Sequence, residues 1–121
     1  MPEKGLVKKS VSSPDETRTF KYGKFEVLTI GGFKFGRATL QPGWKWSTSI
    51  KPIAKTDSCQ VHHIGYMISG SLEVTLNDGT KDTFNAGDSF DIPPGHDGKV
   101  AGNNPLVYLD FIGAAEYAKG K

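Results

Sequence analysis

From Phe20 onward the chain sets short apolar or alternating stretches between Gly, Pro, Asn and Asp, and no central segment sustains a helical period. The pattern predicts strands over residues 24–30, 32–40, 60–68, 71–76, 81–84, 89–92, 98–101 and 106–111. In Ser71-Leu72-Glu73-Val74-Thr75-Leu76 the apolar residues alternate, so Leu72, Val74 and Leu76 share one face of a half-buried strand. Asn77-Asp78-Gly79-Thr80 follows, and Asp78-Gly79 predicts a tight type I′ hairpin. Gly31-Gly32, Gln41-Pro42-Gly43, Ser69-Gly70 and Asn103-Asn104-Pro105 mark further reversals. Phe33 and Phe35 are expected in the core, and Tyr66, alongside Ile64 and Ile68, between sheets. Residues 1–19 are polar and predict an arm that ends in an edge strand, whereas residues 20–121 predict one all-β domain, a sandwich or barrel. A short closing helix is expected over residues 113–119.

Composition narrows the function classes. A chain of 121 residues suits one hydrophobic core. Its single cysteine forms no intramolecular disulfide, which makes a reduced, cytoplasmic setting the expectation. Lys4, Lys8 and Lys9 have no apolar run behind them, so neither a secretory signal nor a membrane span is predicted. The 15 Lys and Arg are offset by 13 Asp and Glu and scattered, which argues against the positive stripe of a nucleic-acid binder. Gly31-Gly32 lacks the strand-loop-helix setting of a phosphate loop, and no serine sits in a nucleophile elbow.

The three histidines and the cysteine fall in two segments, Cys59-Gln60-Val61-His62-His63 and Pro93-Pro94-Gly95-His96-Asp97. On a regular strand Cys59, Val61 and His63 point one way and Gln60 and His62 the other. Asp57 shares the parity of Cys59 and His63. Thiolate, imidazole and carboxylate are transition-metal ligands, and one Cys with two His suits Zn²⁺, Fe²⁺, Ni²⁺ or copper. Four strand residues span about 13 Å, which rules out a direct Cys59–His63 nucleophilic pair and lets the two share an ion only on a strongly bent strand. Taken singly, Cys59 also fits a small buried hydrophobe, His63 a histidine bonded to a carbonyl, and His96 a turn cap. Trp44 and Trp46 share a face, either as a lid over the core or as a surface for ligand stacking. Asp110 is placed either to orient a metal-bound histidine or to face water.

These residues carry a resemblance to small single-domain cupins. Gly87-Asp88-Ser89-Phe90-Asp91-Ile92-Pro93-Pro94-Gly95 resembles the second cupin motif, G-x5-P-x-G, and Gly70 resembles the glycine that ends the first. Pro42-Gly43, Gly79 and Gly87 resemble the family's flanking turns, and the likeness covers residues 36–111. It implies a double-sheet jelly-roll barrel with a site in its mouth. The family's usual three-His, one-Glu site is absent: His63 stands at the glutamate position, Asp57 and Cys59 at the first two histidine positions, and Gly98 at the last, with His96 two residues earlier. The expected site is therefore Cys59, His63 and His96, with Asp57 or water as fourth ligand and His62 facing away. The resemblance implies a divalent ion (Zn, Fe, Ni or Mn), a small polar ligand or substrate, and a homodimer. It also implies, for an enzyme, chemistry of the dioxygenase, isomerase or decarboxylase kind. The competing readings are a metal-free cupin that binds a small molecule as a sensor or accessory module, and a structural cupin that dimerises through its sheet edges and arm.

Overall fold

The structure, a computed structural model, describes residues 5–115. Nine strands dominate: β1 (Glu16–Phe20), β2 (Gly23–Ile30), β3 (Phe33–Leu40), β4 (His63–Ser69), β5 (Ser71–Leu76), β6 (Lys81–Asn85), β7 (Ser89–Ile92), β8 (His96–Val100) and β9 (Leu106–Asp110). Two one-turn helices, α1 (Trp46–Ser49) and α2 (Lys51–Ala54), lie between β3 and β4. The strands form two antiparallel sheets, ordered β1-β2-β3-β9-β4-β7 and β6-β5-β8. This is the expected double-sheet jelly roll, and the arm ends in β1 at the sheet edge.

Alternation decides what the sheets enclose. Phe25 and Val27 of β2, Ala38 and Leu40 of β3, Leu106 and Tyr108 of β9, and Leu72 and Val74 of β5 point inward into one core. Trp44, Trp46 and Ile50, from the segment around α1, join them. Two glycines let neighbouring strands of the six-stranded sheet approach closely. A Cβ on Gly36 would lie 2.1 Å from the Phe25 ring, and one on Gly65 would lie 1.8 Å from the Leu109 carbonyl oxygen.

Gly36 also explains why Phe33 and Phe35 are not core residues. The Phe25 ring requires the side-chain-free position to face inward, which turns Phe33 and Phe35 out; Phe33 is 52% exposed, and the two rings stack at 6.1 Å. Tyr66, Ile64 and Ile68 are likewise exposed, because His63, Gly65 and Met67 take the inward face and no second sheet covers the outer one. The hairpin after β5 forms where expected, but with a different turn. Only Gly79 has positive φ, +94°, its N–H donating to the Leu76 carbonyl, as in a three-residue loop closed by a left-handed glycine rather than a type I′ turn. Gly113–Ala115 forms a single 3-10 turn, and the rest of the expected helix lies outside the described residues.

Gly65→Ala is expected to lower the unfolding free energy by roughly 3 kcal/mol, since the clash is with a backbone carbonyl that cannot swing aside. Urea denaturation checks this, and an unchanged midpoint contradicts the packing described.

Candidate metal centre

The two segments that hold the histidines and the cysteine meet through one backbone bridge. Cys59 pairs antiparallel with His96: the Cys59 N–H donates to the His96 carbonyl at 2.7 Å, and the Gly95 N–H donates to the Cys59 carbonyl at 2.7 Å. β4 begins at His63 rather than at residue 60, and 60–62 lie outside any regular strand. The chain therefore bends between Cys59 and His63, bringing Cys59 Sγ to 3.6 Å from His63 Nε2 and overturning the 13 Å separation of an extended strand. One ligand-capable atom from each of Cys59, His63 and His96 lies within 4.8 Å of the others, and all three side chains are buried. His62 turns outward, as its parity predicts, and its Nε2 meets Asp91 Oδ1 at 2.6 Å. Asp57 stands apart from the cluster, on a polar groove outside the small sheet with Lys45, Glu73 and Lys99.

Neighbours fix which imidazole nitrogen holds the proton. His63 Nδ1 faces Asp110 Oδ2 at 2.5 Å; a carboxylate accepts, so Nδ1–H donates, and in the neutral tautomer this sets, Nε2 carries the lone pair facing the sulfur. Asp110 is fully buried, and its other oxygen accepts the backbone N–H groups of Ile112 at 3.2 Å and Gly113 at 2.8 Å. His96 Nδ1 faces the Pro93 carbonyl oxygen at 2.6 Å, and a carbonyl only accepts, so Nε2 carries the lone pair here too. Burial, followed by the nearby His63, pulls the His96 pKa down to about 4 against smaller opposing effects of Pro93 and Asp97, so the ring is neutral near pH 7. Burial likewise pushes the Cys59 thiol up to about 11. A thiol that is shielded from solvent and keeps its proton is not an activated nucleophile.

Beside the cluster the barrel interior leaves about 20 Å³, room for one water, lined by Trp44, Trp46, His63, His96, Gly98 and Tyr108 among others. Gly98 occupies the position where the resemblance expects a histidine, and the Trp44 ring lies 3.7 Å from where its Cβ would be. The Trp46 indole stands close enough to the Cys59 sulfur to donate a hydrogen bond that lowers the thiol pKa slightly. Trp44 Nε1 is buried without a partner. Of the two expectations for Asp110, a partner to a histidine or a group facing water, the buried contact with His63 matches the first, but no sequence signal marked the Pro93 carbonyl or the Gly113 N–H as fixing the rings.

Comparison with known proteins places the fold. The chain matches no protein-family model and no curated protein. Among solved structures it is similar to the polyketide cyclase RemF from Streptomyces resistomycificus (TM-score 0.62, 15% identity, covering 88% of this chain and 78% of that one). It is also similar to an RmlC-like cupin from Shewanella frigidimarina (TM-score 0.55, 21% identity, 84% and 86% covered). An oxalate decarboxylase from Lactobacillus farciminis, in a formate complex, matches with TM-score 0.59 and 20% identity over 84% of this chain. The chain spans about a third of that enzyme's length, 32%. With its two antiparallel sheets, this chain has the fold of a small cupin.

Asp110→Asn tests how the rings are set. The Asn oxygen can still accept from Ile112 and Gly113, but its amide would then meet His63 Nδ1 as a donor, moving the ring proton to Nε2. Long-range ¹H–¹⁵N NMR of the histidine rings is expected to show His63 protonated at Nδ1 in the wild type and at Nε2 in the variant. The same tautomer in both contradicts the assignment.

Proposed function

We propose that this cupin binds one divalent transition metal ion through Cys59, His63 and His96, with a fourth position facing the small interior space. The observation that carries the reading is the convergence of a thiol and two imidazoles, each imidazole held by a hydrogen bond at Nδ1. Charge supports it. The buried Asp110 carboxylate and a Cys59 thiolate together contribute two negative charges, which a divalent cation balances in a medium where unbalanced charge is costly.

One sulfur and two imidazole nitrogens suit Zn²⁺ best, Fe²⁺ and Ni²⁺ less well, and oxygen-preferring Mn²⁺ least. Three protein ligands with an open fourth position are the arrangement of catalytic rather than structural zinc sites. Bound there, the ion supplies Lewis acidity or, for iron, a site for O₂ chemistry at the fourth position. The chain's own part is to hold three donors in a fixed array, keep bulk water out and stabilise charge through Asp110 behind His63. A polyketide cyclase and an oxalate decarboxylase are among the fold's neighbours, but substrates of such size do not fit in about 20 Å³. The same volume disfavours the metal-free reading, in which the barrel holds a small organic molecule.

Untagged protein reconstituted under reducing conditions with Zn²⁺ or Co²⁺ is expected to bind one equivalent and to melt at a higher temperature; at a thousand times the Kd the stabilisation is about 4 kcal/mol. Cys59→Ser, His63→Ala and His96→Ala should each weaken binding by more than about a hundredfold, beyond what loss of an outer partner costs. Stoichiometric metal that is unchanged in all three variants contradicts the ligand set.

A further inference from the structure

The strand at the edge of the large sheet sends a charge inward. Arg18 is the buried residue of β1, 9% exposed, and its guanidinium lies 6.0 Å from the centre of the Phe25 ring. Glu16 on the same strand takes one edge of the fork, Nε donating at 2.8 Å and Nη2 at 3.1 Å. Nη1 reaches further, donating at 2.8 Å to the carbonyl of Ala114, which is 96 positions away in the chain and 2% exposed. An aliphatic side chain would close the sheet edge without the cost of burying a charge, so the bond to Ala114 calls for a reason. Ala114 belongs to the 3-10 turn whose Gly113 N–H, with that of Ile112, is bonded to Asp110 Oδ1, while Asp110 Oδ2 holds His63 Nδ1. Arg18 thus grips the turn from its carbonyl side and Asp110 from its N–H side. The packing there has no slack, since a Cβ at Gly113 would strike both Asp110 Oδ2 and His63 Nδ1.

We infer that Arg18 is a positioning residue for His63: it pins the 113–115 turn to β1, the turn holds Asp110, and Asp110 holds the ring that faces the Cys59 sulfur. Its functional consequence rests on the metal-binding reading above, for it makes the affinity of the centre depend on how the N-terminal arm docks at the sheet edge. Without the guanidinium the turn keeps its bonds to Asp110 but loses an anchor on the opposite side, and Asp110 and the ring gain freedom to drift together. Coupling of this kind is reciprocal: metal uptake tightens the hold on β1 by the factor that loss of the hold weakens uptake.

Arg18→Met keeps an apolar stem beside Phe25 and removes the donor. In Zn²⁺ titrations it is expected to weaken binding about three- to tenfold, the worth of one hydrogen bond. In metal-free protein its His63 Nδ1 proton, followed by NMR, should exchange with water about tenfold faster than in the wild type. Arg18→Lys, which can still donate to the Ala114 carbonyl, should bring the affinity back to within about twofold of wild type. Val27→Ala removes core volume from β2 and controls for stability alone: it should lower the melting temperature and leave both affinity and proton exchange unchanged. In the wild type, Zn²⁺ loading should slow hydrogen exchange of the β1 amides by a factor similar to the loss in Arg18→Met, beyond any change in β6 at the edge of the other sheet. Wild-type affinity or wild-type proton exchange in Arg18→Met, or equal weakening in Val27→Ala, overturns the inference and leaves the metal centre standing. So does loading that protects β1 no more than β6, a result that decides the matter even if the Arg18 variants do not fold. If the wild type takes up no metal, the metal-binding reading fails, and the His63 proton exchange alone decides whether Arg18 positions the ring.

Discussion

A carboxylate sealed inside a β-barrel must be answered by donors on every side, and Asp110 imposes that requirement on the elements around it. It is fully buried, one oxygen taking the His63 Nδ1–H and the other the N–H groups of Ile112 and Gly113. The end of β9 must therefore turn at once into the 3-10 turn that delivers those two groups. That turn tolerates only glycine at position 113, where a Cβ would stand 2.4 Å from Asp110 Oδ2 and 2.8 Å from His63 Nδ1. His63, the first residue of β4, is held from behind at Nδ1, and its Nε2 faces the Cys59 sulfur. Fold and site are joined at this point: the group that fixes the ring is also the group that ends the strand.

At rest Cys59 and His96 are uncharged donors. His96 is kept uncharged by burial and oriented by the Pro93 carbonyl, and the Cys59 thiol keeps its proton for the same reason of desolvation. A dry environment that suppresses the thiolate disfavours nucleophilic catalysis. It also strengthens every interaction with a cation that replaces the thiol proton. The aromatic packing that makes the site dry fills the barrel as well, so the centre combines three strong donors with space for a ligand of water size.

The pattern of residues foretold the parts of this arrangement that rest on alternation and turns. Leu72 and Val74 point inward as read, the β5–β6 hairpin falls at Asp78-Gly79, His62 faces away from His63, and the histidine and cysteine segments converge. The phase of β3 was not legible, because the inward position is set by how Gly36 admits the Phe25 ring from a neighbouring strand. Nor was the bend at 60–62, which is made by the Cys59–His96 bridge, a pairing between residues far apart in sequence. The indoles escaped assignment for a related reason. Trp44 and Trp46 sit in and beside a one-turn helix that has no periodicity of its own, and only the closed barrel shows both meeting the cluster.

X-ray absorption at the zinc edge of protein loaded with one equivalent of Zn²⁺ tests the central claim most directly, since it reads the atoms bound to the ion. A Cys59–His63–His96 centre predicts one sulfur at about 2.3 Å, two imidazole nitrogens at about 2.0–2.1 Å, and one further light atom at the fourth position. A shell of nitrogen and oxygen alone, without sulfur, contradicts it.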